Sequence, residues 1–134
     1  MEIRGIRSSE IEAVREFLCA NGWENRVADA GLFHVLITNS QRTAVALEGG
    51  EIVGFARALC DGVSNGYISM VVVAPAFRRH GVGTKLVEHI IGNGRSITWV
   101  LRAGRESSVP FFTKLGFARS TLAMERLRDA PRIP

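Results

Sequence analysis

A run of valines, a basic turn with two glycines and an apolar helical face follow one another in the middle of this chain. The valines are residues 71–73, the turn spans 78–83 and the helical face extends over 82–91. The β-branched run predicts a buried strand, and a helix that starts after such a turn begins with backbone N–H groups that lack intrahelical partners. Those donors, the helix dipole and the basic side chains of the turn all favour an anion. The sequence therefore predicts a strand–turn–helix unit that binds a pyrophosphate.

Two well-known phosphate-binding loops do not fit the turn. A Walker A loop follows the pattern G-x-x-x-x-G-K-S/T. With Gly83 as its second glycine, the first glycine would fall at Arg78 and the lysine at Thr84. A dinucleotide fingerprint, G-x-G-x-x-G, accepts Gly81 and Gly83 but places Leu86 at its third glycine, and dinucleotide folds usually open with this motif. Both patterns are excluded.

The turn matches a third pattern, R/Q-x-x-G-x-G/A, with RRHGVG at 78–83 directly after a predicted strand at 67–73. A second segment, PFFTKLGF at 110–117, has the pattern F-Y/F-x-K-L-G-F. In this order and context, the two segments resemble the acetyl-CoA-binding signature and the late motif of the GNAT superfamily of N-acyltransferases. The resemblance extends over about residues 3–127.

The resemblance implies acetyl-CoA as the acetyl donor and an amine as the acceptor. Backbone N–H groups of the strand would bind the pantetheine arm and the thioester oxygen, and the turn would bind the pyrophosphate. The implied catalytic group is the backbone N–H of Val71, as oxyanion donor. The implied cofactor-binding residues are Val71, Val72, Val73, Arg78, Arg79, His80, Gly81, Val82, Gly83, Thr84, Ser108 and Phe112.

Two positions depart from the family pattern, so the general acid and the general base of the reaction are not assigned by the resemblance. Phe112 stands where family members commonly carry a tyrosine near the sulfur, and Met70 stands where relatives often hold an acidic residue. Because phenylalanine cannot donate a proton, the candidate catalytic side chains are Tyr67, the only tyrosine, and Glu24, in the region where the family binds its acceptors.

Two functions remain in competition. One is an N-acetyltransferase that moves the acetyl group to the primary amine of a small-molecule or amino-acid-like acceptor by direct attack in a ternary complex. The other is an acyl-CoA-binding regulatory or sensor module with little or no turnover. Release of thiol from acetyl-CoA in the presence of amines would separate them.

Composition narrows the class of protein further. The 134 residues, with 46% hydrophobic and 22% charged residues, predict a single domain over 1–134, with its core at about 3–127 and a frayed tail at 128–134. No apolar run predicts a membrane span or a secretory signal, and two cysteines in unrelated settings favour the cytoplasm. The net charge of +4 suits a polyanionic cofactor, and because most arginines are scattered we expect no nucleic-acid partner. We expect no metal, and the family resemblance allows a homodimer.

The predicted elements follow the order β-α-α-β-β-β-α-β-α-β. A helix is expected after a capping box formed by Ser9 and Glu12, and proline at position 110 fits the first turn of the last helix. The predicted strands are 3–7, 43–47, 52–59, 67–73, 97–101 and 117–127. This order predicts an α+β fold with a mixed, mostly antiparallel sheet of six to seven strands and helices on both faces, as in the GNAT superfamily.

Overall fold

The computed structural model describes residues 1–129 and contains a sheet of five strands that lie side by side in chain order. Neighbouring strands are antiparallel except β4 and β5, which are parallel and are joined by a helical crossover. The strands are β1 Glu2–Arg4, β2 Arg42–Glu48, β3 Glu51–Cys60, β4 Asn65–Val73 and β5 Thr98–Leu101.

Five α-helices occur among the described residues, and the longest one forms the crossover. Short 3₁₀ turns lie before three of them, and a π-helical turn at Cys19–Trp23 follows α1. Gly22 in that turn has φ 90°, and it and Asn21 have non-helical backbone angles, so the helical conformation that begins with α1 is interrupted there. The helices are α1 Ile11–Leu18, α2 Glu24–Val27, α3 Ala30–Thr38, α4 Val82–Ile91 and α5 Val109–Lys114.

Two apolar clusters form the core, one on each face of the sheet. One cluster joins α1 and α3 to side chains such as Phe55 on β3. The other joins α4 to a surface of small residues on β2 and β3. A Cβ at Gly54 would lie 3.0 Å from Leu86 Cδ1, so the missing side chain allows α4 to lie close to the sheet. The predicted α+β class, with helices on both faces of a mixed sheet, is confirmed.

The sheet has fewer strands than the six to seven predicted, because the expected last strand at 117–127 does not form. Residues 118–127 are exposed and pair with no strand. The N–H groups of Leu122 and Ala123 instead donate to the Ser120 hydroxyl at 3.0 and 2.9 Å. Such local bonds from serine compete with a β-ladder. The part of the predicted frayed tail at 130–134 lies outside the described residues.

The capping box predicted at Ser9 and Glu12 is also wrong. A 3₁₀ turn precedes α1, and the carboxylate of Glu10 accepts the Arg7 N–H at 2.8 Å. The same carboxylate makes two bonds with the Arg4 guanidinium, at 2.8 and 2.7 Å. The bonds from Arg4, followed by the Arg7 N–H, lower the pKa of Glu10 to about 2.

Candidate active site

A β-bulge interrupts the second half of β4. The register against β3 shifts there, so that Met70 and Val71 together lie opposite one residue of β3. Met70 has φ 59°, a left-handed conformation that costs a non-glycine residue roughly 1–2 kcal/mol. The bulge also changes which face of the sheet the side chains of β4 are directed to, because positions two residues apart no longer share a face across it. Ile68 packs under α4, whereas Met70, two residues later, packs with α1 and α3.

Beyond the bulge, β4 has an open edge. Its pairing with β5 ends at Ile68, although β4 itself continues to Val73. The Ala74 N–H donates to the Val53 carbonyl on β3 at 2.9 Å. Because the N–H groups of a strand alternate between its two edges, those of Val73 and Val71 point away from β3. We call this stretch, with its two outward backbone donors, the open edge.

The backbone N–H of Val72 is directed to the opposite edge of β4 from those of Val71 and Val73. Val72 lies opposite Phe55 in the register, in the position whose N–H is directed at β3. Its side chain is buried in the cluster with α1 and α3. The open edge therefore offers backbone donors at Val71 and Val73 but not at Val72, which the sequence analysis had grouped with them.

The N-terminus of α4 presents a second set of backbone donors. The helix begins at Val82 after Gly81, which has φ 79° and provides no side-chain cap. The Lys85 N–H makes the bond to the Gly81 carbonyl, at 3.1 Å. The N–H groups of Val82, Gly83 and Thr84 precede that bond and have no intrahelical acceptor. Since the Val82 side chain is buried, this residue can meet a ligand only through its backbone.

The turn before α4 connects these donors to the open edge. Arg78, Arg79 and His80 are all exposed. The Arg78 Nε donates to the carbonyl of Val73 at 3.2 Å. Arg79 has φ 65°, so it and Gly81 are two left-handed residues within three positions. Backbone that alternates between left-handed and other conformations forms concave sets of N–H groups that accept anions.

The aromatic segment of the late motif packs beside the N-terminus of α4. A Cβ at Gly83 would lie 3.0 Å from Phe111 Cζ and 3.7 Å from Val73 Cγ2. Gly83 is therefore needed for packing as well as for close approach of a ligand, which the sequence analysis missed. Phe112 is half-buried, with its ring centroid 4.9 Å from that of Phe111 and 5.9 Å from that of Phe117.

The other predicted site residues, Ser108, Glu24 and Tyr67, belong neither to the open edge nor to the turn before α4. The Ser108 hydroxyl donates to the Arg105 carbonyl at 2.7 Å and braces the turn before α5. Glu24 is exposed at the start of α2, which packs on α1 and α3. Tyr67 precedes Val71 by four residues, roughly 13 Å along a strand. At that spacing, a proton passing between the Tyr67 hydroxyl and a group at Val71 would need a chain of several water molecules.

A buried arginine lies close to Tyr67. Arg57 on β3 is only 4% exposed, lies opposite Ser69 and donates to the Ser40 hydroxyl at 3.3 Å. Burial lowers the pKa of its guanidinium, and the nearby Tyr67 phenol partly opposes that change. By strand alternation from Phe55, Arg57 faces the side covered by α1 and α3. A polar group thus adjoins the bulge on that side of the sheet.

Metal clusters and membrane-spanning helices are absent from residues 1–129. No group of three or more His, Cys, Asp or Glu side chains in this range could hold a metal ion. No helix in the same range combines the length and the apolar character needed to cross a membrane. Both cysteines, Cys19 and Cys60, are free thiols.

Comparison with known proteins identifies the family. Residues 10–117 match the model of the acetyltransferase (GNAT) family, so this chain belongs to that family, as its two motifs predicted. Mycothiol acetyltransferase of Rhodococcus erythropolis (strain PR4 / NBRC 100887) is 31% identical over 111 residues. The alignment covers 81% of this chain and 37% of that protein, so the chain spans well under half the length of the curated relative.

Solved structures share the fold over nearly the whole chain. A GNAT-family acetyltransferase from Streptococcus pneumoniae TIGR4 has a TM-score of 0.77 and 24% identity, over 96% of this chain and 97% of that one. A Trypanosoma brucei acetyltransferase has a TM-score of 0.70 and 26% identity, with 95% and 98% covered. Aminoglycoside N-acetyltransferase AAC(6')-Iy in complex with CoA has a TM-score of 0.72 and 16% identity, with 96% and 95% covered.

Proposed function

We propose that this chain is an N-acetyltransferase that moves an acetyl group from acetyl-CoA to the primary amine of a small-molecule or amino-acid-like acceptor. The transfer would be a direct attack with both substrates bound. The observation that carries the proposal is the juxtaposition of the open edge with the uncapped N-terminus of α4, joined by the bond from Arg78 to Val73. Family membership supports acetyl-CoA as the donor, and a fold neighbour is known in complex with CoA.

The backbone would perform most of the binding. Acetyl-CoA supplies an activated acetyl group and carries a pyrophosphate. The N–H groups of Val71 and Val73 suit an extended arm added along the strand edge, and that of Val71 suits the thioester oxygen, where negative charge develops. The N–H groups of 82–84, with Arg79 and His80, suit the pyrophosphate. Main-chain donors held by packed elements need little reorganisation during the reaction.

The general acid and the general base of the reaction are also proposals, and Tyr67 has more support than Glu24. We propose that Tyr67 exchanges protons with the acceptor through a chain of waters, because it lies on β4, three residues before the bulge, and next to the cationic Arg57. Glu24 is the second candidate base, on its exposure alone. Phe112 cannot protonate the departing sulfur. A thiol with a reference pKa of about 8.5 can leave as the thiolate without a dedicated acid.

The alternative is an acyl-CoA-binding sensor with little or no turnover. Phe112 and Met70 favour it, because neither supplies a titratable group at the positions where the family pattern commonly has one. Both functions require acetyl-CoA to bind at the same corner. They differ only in whether an amine releases the thiol.

Calorimetry with acetyl-CoA tests the site, and thiol release across a panel of amines tests the activity. The first amines to try are amines related to mycothiol and aminoglycosides, because the curated relative is a mycothiol acetyltransferase and a fold neighbour is an aminoglycoside N-acetyltransferase. Binding with thiol release on an amine supports the transferase. Binding without release across the panel supports the sensor.

A matched pair of charge reversals locates the site. Arg79→Glu places a carboxylate at the turn and should weaken acetyl-CoA binding about tenfold or more, because it repels the pyrophosphate. Arg95→Glu makes the same charge change in the exposed loop after the far end of α4 and should leave binding unchanged. Equal affinities for the two variants would contradict a pyrophosphate site at this turn.

For the compartment, we propose the cytoplasm, since both thiols are free.

A further inference from the structure

One part of the sheet is only partly covered on the face where α1 and α3 pack. Leu59, Tyr67 and Val100 are direct neighbours across β3, β4 and β5, so their side chains share a face. By strand alternation, this is also the face of Arg57. Leu59 and Val100 are 42% and 45% exposed, and Tyr67 is half-buried. We call these three side chains the apolar row.

The opposite face of the sheet is closed at the same place. Ala58 and Ile68, which alternate with the row on β3 and β4, are fully buried and pack in the cluster under α4. The row is therefore exposed because the helical layer on its own side leaves it partly open. Single exposed apolar side chains are ordinary on protein surfaces. Three adjacent ones on neighbouring strands form a continuous surface of the kind that marks a ligand site.

A buried arginine and a buried serine lie between the apolar row and the open edge. Arg57 and Ser69 lie opposite each other on β3 and β4, two residues from the row on each strand, which is roughly 7 Å. Ser69 is also the first residue of β4 beyond the pairing with β5, which ends at Ile68. A ligand that extends from the row to the Val71 N–H therefore passes this pair.

The guanidinium of Arg57 suits a carboxylate. Its N–H donors form a planar fork that matches the two oxygens of a carboxylate, and such charge-assisted bonds are among the strongest in proteins. The Ser40 hydroxyl accepts one of its N–H groups at 3.3 Å, which helps to hold the side chain in place. An anion beside a buried guanidinium also offsets part of the cost of taking its charge out of water. The same face of the sheet thus combines a fixed cation with an apolar surface.

We propose that the acceptor is a primary amine that also carries a carboxylate and an apolar side chain, as an apolar amino acid does, and that Arg57 binds its carboxylate. This inference rests on the proposed transferase function and names the acceptor class. The apolar side chain of the acceptor would lie on the apolar row, and its amine would be directed to the open edge. There the nitrogen forms a bond to the acetyl carbon, the C–S bond breaks, the coenzyme leaves as the thiolate and the nitrogen releases a proton to the water chain.

Matched amines test the proposal. Leucine and phenylalanine are compared with leucinamide and phenylalaninamide, which keep the amine and the side chain but lack the negative charge. In thiol release, kcat/KM should be about tenfold or more higher for the amino acid of each pair, because only the carboxylate pairs with the buried cation. An amide makes the neighbouring amine less basic, so more of it is in the reactive neutral form, and a preference for the amino acid cannot come from amine protonation. Leucine should also exceed glycine, which has no side chain to lie on the row.

Variants locate the preference. Arg57→Met should reduce it to nearly one, mainly through KM, and leave the acetyl-CoA affinity unchanged in calorimetry. Arg57→Lys keeps the charge but not the fork and should give an intermediate preference. Arg42→Met is the matched control, because that sheet arginine is on the opposite face, where it donates to the Ile90 carbonyl at 2.8 Å. It should keep the full preference. Leu59→Gln should lose only the preference for leucine over glycine.

Calorimetry of leucine with the CoA-loaded protein separates this inference from the proposed function. Leucine binding that leucinamide does not match and that Arg57→Met loses supports the Arg57 subsite even if no amine releases thiol, a result that would overturn the transferase alone. Thiol release with leucinamide as fast as with leucine overturns this inference and leaves the transferase standing.

Two further results also overturn the inference. One is the absence of leucine binding to the CoA-loaded protein. The other is a preference for leucine over leucinamide that stays unchanged in Arg57→Met. Circular dichroism establishes that each variant is folded. If Arg57→Met does not fold, an unchanged preference in Arg57→Lys has the same meaning.

Discussion

Replacement of Gly81 by alanine should destabilise the protein through backbone strain alone. Gly81 has φ 79° at the start of α4, and a Cβ built there meets no atom within 4 Å. Space is therefore available, but an L-residue in the left-handed region costs roughly 1–2 kcal/mol. For a domain of this size, that loss of free energy should lower Tm by about 3–8 °C.

The same variant should also weaken acetyl-CoA binding. If residue 81 relaxes to a right-handed conformation, α4 gains a residue at its start, the Thr84 N–H can bond to the carbonyl of residue 80, and the set of free donors moves by one position. Gly81→Asn is the informative comparison, because asparagine tolerates the left-handed region better than alanine. Its losses of stability and of affinity should therefore be smaller than those of Gly81→Ala.

Urea unfolding followed by circular dichroism measures the stability, and calorimetry with acetyl-CoA measures the affinity. Gly94→Ala is the control, because that glycine has open space and no positive φ. It should be neutral or stabilising by up to about 1 kcal/mol. The reasoning fails if Gly81→Ala matches the unmodified protein within about 0.3 kcal/mol, or if asparagine is worse than alanine at this position.

Three further changes test other parts of the structure. Gly66→Ala should destabilise by about 1–3 kcal/mol in urea unfolding, because its Cβ would overlap the Trp99 ring; no effect would contradict this packing. The pKa of Glu10 is lowered to about 2 by Arg4, so its stabilisation is complete above pH 4.5 and is lost as the pH falls towards 2. Glu10→Gln should lose less stability between pH 5 and pH 3, and equal losses would refute it. Phe112→Tyr should keep Tm within about 3 °C, since the ring is half-buried, and raise turnover; a collapsed Tm would show a closed core position.

Local order along the chain was predictable because it depends on neighbouring residues. The valine run, the glycine turn and the apolar periodicity of 82–91 lie within about twenty residues of one another, and they appear as β4, the turn and α4. The β2–β3 hairpin follows in the same way from the Gly–Gly pair at 49–50, whose residues both have positive φ. The two motifs were sufficient to assign the family, which the family match confirms.

The local pattern was misleading in two places, where the outcome depended on which partner a side chain or a segment found. Ser9 and Glu12 have the spacing of a capping box, but Glu10 is within reach of both Arg7 and Arg4 and forms the N-terminal bonds instead. Residues 117–127 are predicted as a strand, yet they pair with no strand within residues 1–129. Alternation shows that a segment can pair but does not identify a partner.

By itself, the sequence determined the succession β2–β3–β4–α4–β5, the strand–turn–helix unit within it and the family, because propensity, periodicity and motif spacing act over short distances. The tertiary structure alone decided which backbone groups face the open edge. A one-residue shift at Met70 reverses the facing of every later position, so that Val71 and Val73 point outwards and Val72 points towards β3. The tertiary structure also decided that position 83 has little room for a side chain, because Phe111, on a helix distant in the sequence, packs against it. Register and packing depend on such distant partners, which no window of local sequence contains.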